Sequence, residues 1–236
     1  MPEAIVITPV KDSPETTEKT INAICQSDAA IEYFVFNDFS NELTKNLLEQ
    51  LKQKYNFNLF HLEEITENPS PNYKLVLEIA QKLALEKNLP LIIIESDVIV
   101  KPETIKSLVR LNNENTKPGL IGAITTNENG DYNFPYNFEK IKSSKTIKTS
   151  HSLSFCCTLL STDFLKNFDF TDLSQKKDWF DVSISRQAKK MGYTNYLAKG
   201  IRVQHLPHSS RPWKNLKYSN PLLYYYRKLI QKRDRI

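Results

Sequence analysis

The chain has 236 residues, 40% hydrophobic and 25% charged, a composition that excludes disordered and fibrous classes and suits one compact α/β domain with a sizeable core. Its start, MPEAIVITPV, lacks the basic and apolar regions of a signal peptide, and no run approaches the roughly 20 apolar residues of a spanning helix, so a cytoplasmic setting is expected. The net charge is +5, yet the residues from Arg211 onward hold eight Lys or Arg and one acid, a net of +7, which leaves −2 on the first 210 and excludes nucleic acid as the main partner.

AIVITPV, residues 4 to 10, reads as a strand, and Ser13-Pro14-Glu15 supplies an N-cap, a first-turn proline and an early acid for a helix to about Ser27. IEYFVF (31 to 36) is a second strand. The polar Asn37-Asp38-Phe39-Ser40 follows, and then Leu43, Leu47, Leu48 and Leu51 recur at helical spacing. FNLFHL gives a third short strand, whose His61 reads as an ordinary half-buried histidine. After a turn over residues 68 to 72, Leu75, Ile79 and Leu83 mark a helix that feeds the next strand, and Pro102 begins another.

That next strand, LIIIESDVIV (91 to 100), runs into Glu95-Ser96-Asp97. Alternation along a strand puts Glu95 and Asp97 on one side, where their oxygens can converge on a hard divalent cation. The alternative is a strand that reaches solvent at an acidic loop. Further on, Asn129-Gly130 signals a hairpin turn and SLSFCCTLL (152 to 160) a strand. DWFDVSISRQAKKMGY places Asp178 and Asp181 in or just before a helix that ends at Gly192. The pair could share a helix face or serve as N-terminal acids favoured by the dipole. IRVQHLPH (201 to 208) is a short strand ending in His205, with His208 close behind; an imidazole is a frequent companion of carboxylates around a metal. Cys25, Cys156 and Cys157, an odd set with two adjacent, fit neither a disulfide framework nor a spaced zinc site and read as reduced, buried residues.

Strands alternating with helices predict a mostly parallel sheet covered on both faces, a Rossmann-like α/β fold whose ligands collect at the carboxyl ends of the strands. Lys11-Asp12, Asn37-Asp38 and Glu95-Asp97 all fall on that rim. With five glycines and no GxGxxG or GxxxxGK[ST], the usual dinucleotide and P-loop readings drop out. A phosphate here needs a metal and cationic side chains.

The order of these elements, from the Thr-Pro strand through Asn37-Asp38-Phe39-Ser40, Glu95-Ser96-Asp97, Trp179-Phe180-Asp181 with Gly192-Tyr193, to Val203-Gln204-His205, resembles the family-2 inverting glycosyltransferases of GT-A fold. The resemblance spans about residues 4 to 210, leaving 211 to 236 as a basic aromatic tail or helix. It implies that Thr8, Pro9, Lys11, Asp12, Asn37 and Asp38 hold the nucleotide, and that Glu95 and Asp97 form a D-x-D-like element binding ribose and Mn²⁺ or Mg²⁺. It further implies that His205 assists the metal and that Asp181, with Asp178 as understudy, is the general base. Three departures stand out: Asn37 for an Asp, Glu95 for the first Asp of D-x-D, and Leu75 or its neighbours for an Asn on the third helix.

The implied reaction moves a sugar from a nucleotide-diphosphate donor to a hydroxyl of a glycan or lipid-linked acceptor, as in polysaccharide biosynthesis. One displacement inverts the anomeric centre. Two rivals remain. One is a catalytically silent nucleotide-binding relative; the other is a sugar-phosphate nucleotidyltransferase, which TPVKDSPE disfavours by lacking a glycine-rich phosphate loop. The tail NPLLYYYRKLIQKRDRI (220 to 236) has the pattern of a basic amphipathic helix, either a peripheral contact with an anionic membrane or a helix packed on its own domain.

Overall fold

The computed structural model describes residues 1–136, 144–174 and 179–206, together with Asn220, Leu223, Tyr225 and Tyr226. Asp178, His208 and most of the basic tail lie outside the described residues. The chain divides into two units, Met1–Leu206 and Pro207–Ile236. In the second unit the Leu223 amide donates to Asn220 Oδ1 at 3.1 Å. Among the described residues no helix is long and apolar enough to cross a membrane.

In the first unit, β1 (Ala4–Val10), α1 (Pro14–Cys25), β2 (Ile31–Asn37), α2 (Glu42–Tyr55), β3 (Asn58–His61), α3 (Tyr73–Lys87) and β4 (Leu91–Ile94) follow the expected alternation. Then come β5 (Val98–Ile99), α4 (Thr104–Glu114), β6 (Pro118–Thr126), β7 (Thr146–Lys148), β8 (Cys157–Leu160), α5 (Thr162–Asn167), α6 (Phe180–Lys190) and β9 (Thr194–His205). One sheet runs β3-β2-β1-β4-β8-β6-β9-β5, with β7 paired to β9. The β3-β2-β1-β4 half is parallel, as is the β6-β9 pair, whereas β8 lies antiparallel between β4 and β6. This is the mostly parallel, helix-flanked α/β fold that the sequence predicts.

Alternation along the strands creates two cores. Val6 and Val10 join Ile21, Ile24, Leu48, Leu51, Ile105 and Leu108 of α1, α2 and α4 on one face. Ile5 and Ile7 meet Val76, Leu77, Phe164 and Ile184 of α3, α5 and α6 on the other. Each fully buried side chain of this size contributes about 1.5–3 kcal/mol. The buried face of α3 runs through Val76, Leu77, Ala80, Gln81 and Ala84, so Leu75, Ile79 and Leu83 flank it rather than centre it.

Local chemistry fixes where elements stop. With few glycines available, α2 and α3 end on Asn56 and Asn88, at φ 55° and 54°, because asparagine tolerates the left-handed conformation better than most residues. Gly119 on β6 is required by a close approach: a Cβ there would lie 2.9 Å from Ala188 Cβ of α6. At the start of α1, Pro14 occupies the first turn as expected, but Ser13 has φ 56° and its side chain caps nothing. The expected strand over 152 to 160 shortens to β8, and α4 begins two residues after Pro102. The short strand expected at 201 is the end of the longer β9. Its register against β6 shifts between Ala123, paired to Ala198, and Ile124, paired to Arg202, and this irregularity around Lys199-Gly200 hides the strand from a period-two reading.

Gln81 is a polar residue in the α3 core that the apolar pattern passes over. Its amide donates to the Leu165 and Phe168 carbonyls at 2.9 and 2.6 Å and accepts from the Phe170 amide at 2.8 Å, tying α3 to α5 and the segment after it. Gln81→Leu strands three buried backbone groups, so urea denaturation should show a loss of about 2–4 kcal/mol. Unchanged stability would mean that solvent or a rearranged loop satisfies them.

Candidate active site at the carboxyl rim of the sheet

The loops after β1 and β2 are tied to each other. Lys11 Nζ donates to the Phe39 carbonyl, the Asp12 amide donates to Ser40 Oγ at 2.9 Å, and Asp12 Oδ1 accepts from the Asn41 amide at 2.9 Å. Lys11 and Asp12 also pair at 3.8 Å. Asp12, Ser13 and Phe39 all have φ near +56°, an uncommon conformation for residues with a side chain that this network holds in place. Beneath them Thr8 is buried and accepts at Oγ1 from the Tyr33 hydroxyl at 2.9 Å, while Pro9 is half-buried.

Asn37 is fully buried at the end of β2. Its amide nitrogen, which can only donate, lies 2.9 Å from His61 Nδ1, and His61 Nε2 lies 2.9 Å from Glu49 Oε1. His61, buried rather than half-buried, therefore bridges buried Asn37 to the half-exposed Glu49 carboxylate. Asn37 Oδ1 accepts from the Ser40 amide at 3.2 Å. The neighbouring Asp38 carboxylate accepts from Ser70 Oγ, the Asn72 amide and Asn72 Nδ2 at 2.8, 2.9 and 2.8 Å. Asp38 thus anchors the segment leading into α3, and Asn72 supplies an asparagine at that helix's N-cap position.

The acidic motif has a different geometry from the one strand alternation predicts. β4 ends at Ile94, and Glu95 to Val98 form a turn closed by the Val98 amide donating to the Glu95 carbonyl at 3.1 Å. Convergence comes instead from β9. His205 pairs with Val98, its Nε2 lies 3.2 Å from Asp97 Oδ2, and the Leu206 amide donates to the Asp97 carbonyl at 2.8 Å. Glu95, Cys156 and His205 each offer a ligand atom within 4.8 Å of the others. Sequence reasoning missed Cys156. Ile94 pairs with Cys157 across the antiparallel β4-β8 ladder, which sets Glu95 against Cys156, and no spacing in the sequence announces that pairing.

The electrostatics favour a positive charge at this spot. His205 Nδ1 lies 2.9 Å from the Phe134 carbonyl, so that nitrogen carries the proton and a neutral ring would aim a bare Nε2 lone pair at Asp97. Burial pulls the His205 pKa down, but the Asp97 hydrogen bond, the charges of Asp97 and Glu95 and the Phe134 carbonyl outweigh it and leave the pKa raised. Burial first, and then the Glu95 charge, push the Cys156 thiol well above its usual range. The thiol proton stays on sulfur and is shared with Glu95 Oε2 at 3.3 Å. A proton or a metal ion relieves the same crowding, and the Glu95 carboxylate, the His205 imidazole and the Cys156 sulfur lie close enough together to fit a divalent ion.

Asp181 opens α6, where its Oδ1 accepts from the Val182 amide at 2.7 Å. Tyr73 stacks on Phe155 and on Phe180, with ring centroids 6.5 and 6.1 Å apart, so the starts of α3 and α6 share an aromatic wall. Ser185 Oγ accepts from the Leu153 amide at 3.0 Å, and the buried Tyr136 hydroxyl accepts from the Ser154 amide at 3.0 Å, which docks α6 against the segment carrying Cys156. Burial pushes the Tyr136 hydroxyl upward, so it stays protonated where it meets the Ser154 amide.

A family model described as Glycosyl transferase family 2 matches residues 5–168. The chain belongs to glycosyl transferase family 2. This family-2 chain is also similar in fold to solved glycosyltransferase structures. Mannosyltransferase PcManGT from Pyrobaculum calidifontis, in complex with GDP-Man and Mn²⁺, matches with a TM-score of 0.62 at 16% identity, over 100% of this chain and 65% of that one. S. aureus TarS 1-349 in complex with UDP gives 0.65 at 16% identity, over 91% and 63%. GalNAc-T7 with UDP, GalNAc and Mn²⁺ gives 0.63 at 14% identity, over 89% and 45%. At such identities the likeness is one of fold, and the family-2 chain spans less than two thirds of each of these structures. No curated protein matches it. The GT-A fold expected from the motif order is the one observed.

Proposed function

We propose that the chain is a metal-dependent glycosyltransferase that moves a sugar from a nucleoside-diphosphate donor to an acceptor hydroxyl with inversion. The observation that carries this reading is the approach of Glu95 to His205, whose imidazole also meets Asp97, at the carboxyl rim where the two interlocked loops after β1 and β2 also lie. Thr8, Pro9, Lys11, Asp12, Asn37 and Asp38 line or brace the nucleotide half of the site. Asn37, fully buried and bonded to His61 and to the Ser40 amide, braces the loop of this half from within. Asp97, Glu95 and His205 would hold Mn²⁺ or Mg²⁺, which would supply positive charge against that building on the leaving diphosphate. Asp181, with Asp178 as its alternate, takes the proton of the acceptor hydroxyl as that oxygen attacks C1. The complexes of PcManGT with GDP-Man and Mn²⁺ and of GalNAc-T7 with UDP, GalNAc and Mn²⁺ support the donor class and the metal.

Thermal shift against nucleoside diphosphates and nucleotide sugars, with Mn²⁺ and with EDTA, tests the reading, because a ligand that binds only the folded state raises the melting temperature. A shift that requires Mn²⁺ is expected with at least one donor. No shift with any would remove donor binding. Binding without turnover or donor hydrolysis would leave the catalytically silent alternative.

We also propose that the acceptor is a glycan or lipid-linked hydroxyl at the cytoplasmic face of a membrane. The +7 charge from Arg211 onward supports this, since each basic residue near an anionic surface contributes about 1 kcal/mol. Binding to anionic but not neutral liposomes, weakened by salt and lost on deletion of residues 220 to 236, is the expected result. Aggregation of the truncated protein would place the tail in the fold instead.

A further inference from the structure

The polar cluster at the rim contains one group that a hard, all-oxygen metal site does not need. We propose that Cys156 is itself a metal ligand, so that Glu95, Cys156 and His205 form a mixed carboxylate, thiolate and imidazole centre that holds Zn²⁺-class ions far more tightly than Mn²⁺ or Mg²⁺. This rests on the metal-binding part of the functional reading, and not on sugar transfer.

The three residues come from different elements and are placed by backbone pairing. The β4-β8 register of Ile94 with Cys157 continues as the Glu95 amide donating to the Cys156 carbonyl at 3.1 Å. Residues set opposite in an antiparallel ladder project to the same face at close range. Cys156 Sγ lies 3.3 Å from Glu95 Oε2, and the ligand atoms of all three residues fall within 4.8 Å of one another. His205 is held by the Phe134 carbonyl with Nε2 toward the cluster. Cys156 is 1% exposed, which keeps bulk water and oxidants from competing for the sulfur. When an ion enters, the thiol proton leaves to solvent and the sulfur takes the metal in its place. Thiolate and imidazole together select Zn²⁺ and Co²⁺, while carboxylate oxygens alone suit Mg²⁺ and Mn²⁺.

Titration of the metal-free full chain with Co²⁺, followed by ultraviolet-visible absorption, reads the sulfur directly through a thiolate-to-cobalt charge-transfer band. The band is expected in the wild type and in Cys157→Ser, and absent from Cys156→Ser and Cys156→Ala. Zn²⁺ affinity, measured by competition with a chromophoric chelator, should fall on the order of 100-fold in Cys156→Ser, at or above the effect of losing a residue that merely supports a ligand, while Mn²⁺ affinity changes far less. A wild-type cobalt complex without the band, or a band that survives in Cys156→Ser, overturns the proposal whether or not either variant folds. Equal losses for Zn²⁺ and Mn²⁺ overturn it too. Mn²⁺-dependent nucleotide binding by the same wild-type preparation is read separately: nucleotide binding with no sulfur band removes only the Cys156 ligand, and a sulfur band with no nucleotide binding removes only the donor reading.

Discussion

Asp97→Asn is expected to weaken Mn²⁺-dependent nucleotide binding by roughly 10²-fold, the upper end of what loss of a metal's supporting partner costs, and more if the carboxylate ligates directly. Asp97 is 4% exposed, and its Oδ2 lies 3.2 Å from His205 Nε2. The substitution therefore removes a negative charge from the cluster at its contact with His205 Nε2, the nitrogen that faces the metal position, while the Phe134 carbonyl still holds the ring. Asparagine has nearly the same shape, so the fold should survive. Calorimetric titration in Mn²⁺ and in EDTA separates the contributions. Wild-type protein that binds nucleotide equally well in EDTA would show that Asp97 has no part in a metal-dependent step.

Asp181→Asn should leave donor binding intact and lower turnover by about 10²-fold or more, the usual worth of a positioned proton transfer. Asp181 opens α6, a different element from the loops after β1 and β2, so the proposed binding and proton-transfer roles can be separated by mutation. Steady-state turnover paired with donor thermal shift makes the distinction. If Asp178→Asn abolishes turnover while Asp181→Asn spares it, the base lies three residues earlier. If both variants remain active, the helix has no role in proton transfer.

The parallel half of the fold was legible because its signals are local. Apolar runs of strand length alternate with helical spacing, and Pro14 marks the α1 start directly. The placing of Glu95 and Asp97 on the rim also followed from order along the chain, whereas His205 entered only as a frequent companion of carboxylates and through the family resemblance. What sequence could not supply were the cross-strand pairings. Cys156 is silent until β8 is known to run antiparallel beside β4, and His61 looks ordinary until β3 is set beside β2, where Asn37 pairs with His61. Expecting Glu95 and Asp97 to point the same way through alternation reached the right neighbourhood by the wrong geometry, because a turn and an incoming strand bring them to His205.

The knot of hydrogen bonds between the loops after β1 and β2 has a kinetic consequence. Asp12 and Phe39, each held at positive φ by contacts to the other loop, leave this stretch of backbone little freedom to lose when a nucleotide arrives. Ordering such loops on arrival is part of what association ordinarily costs, and here folding has already met it. Nucleotide capture at this edge should accordingly be a single-step encounter, with an observed rate that climbs linearly with ligand concentration in stopped flow and shows no plateau from a slow closing motion.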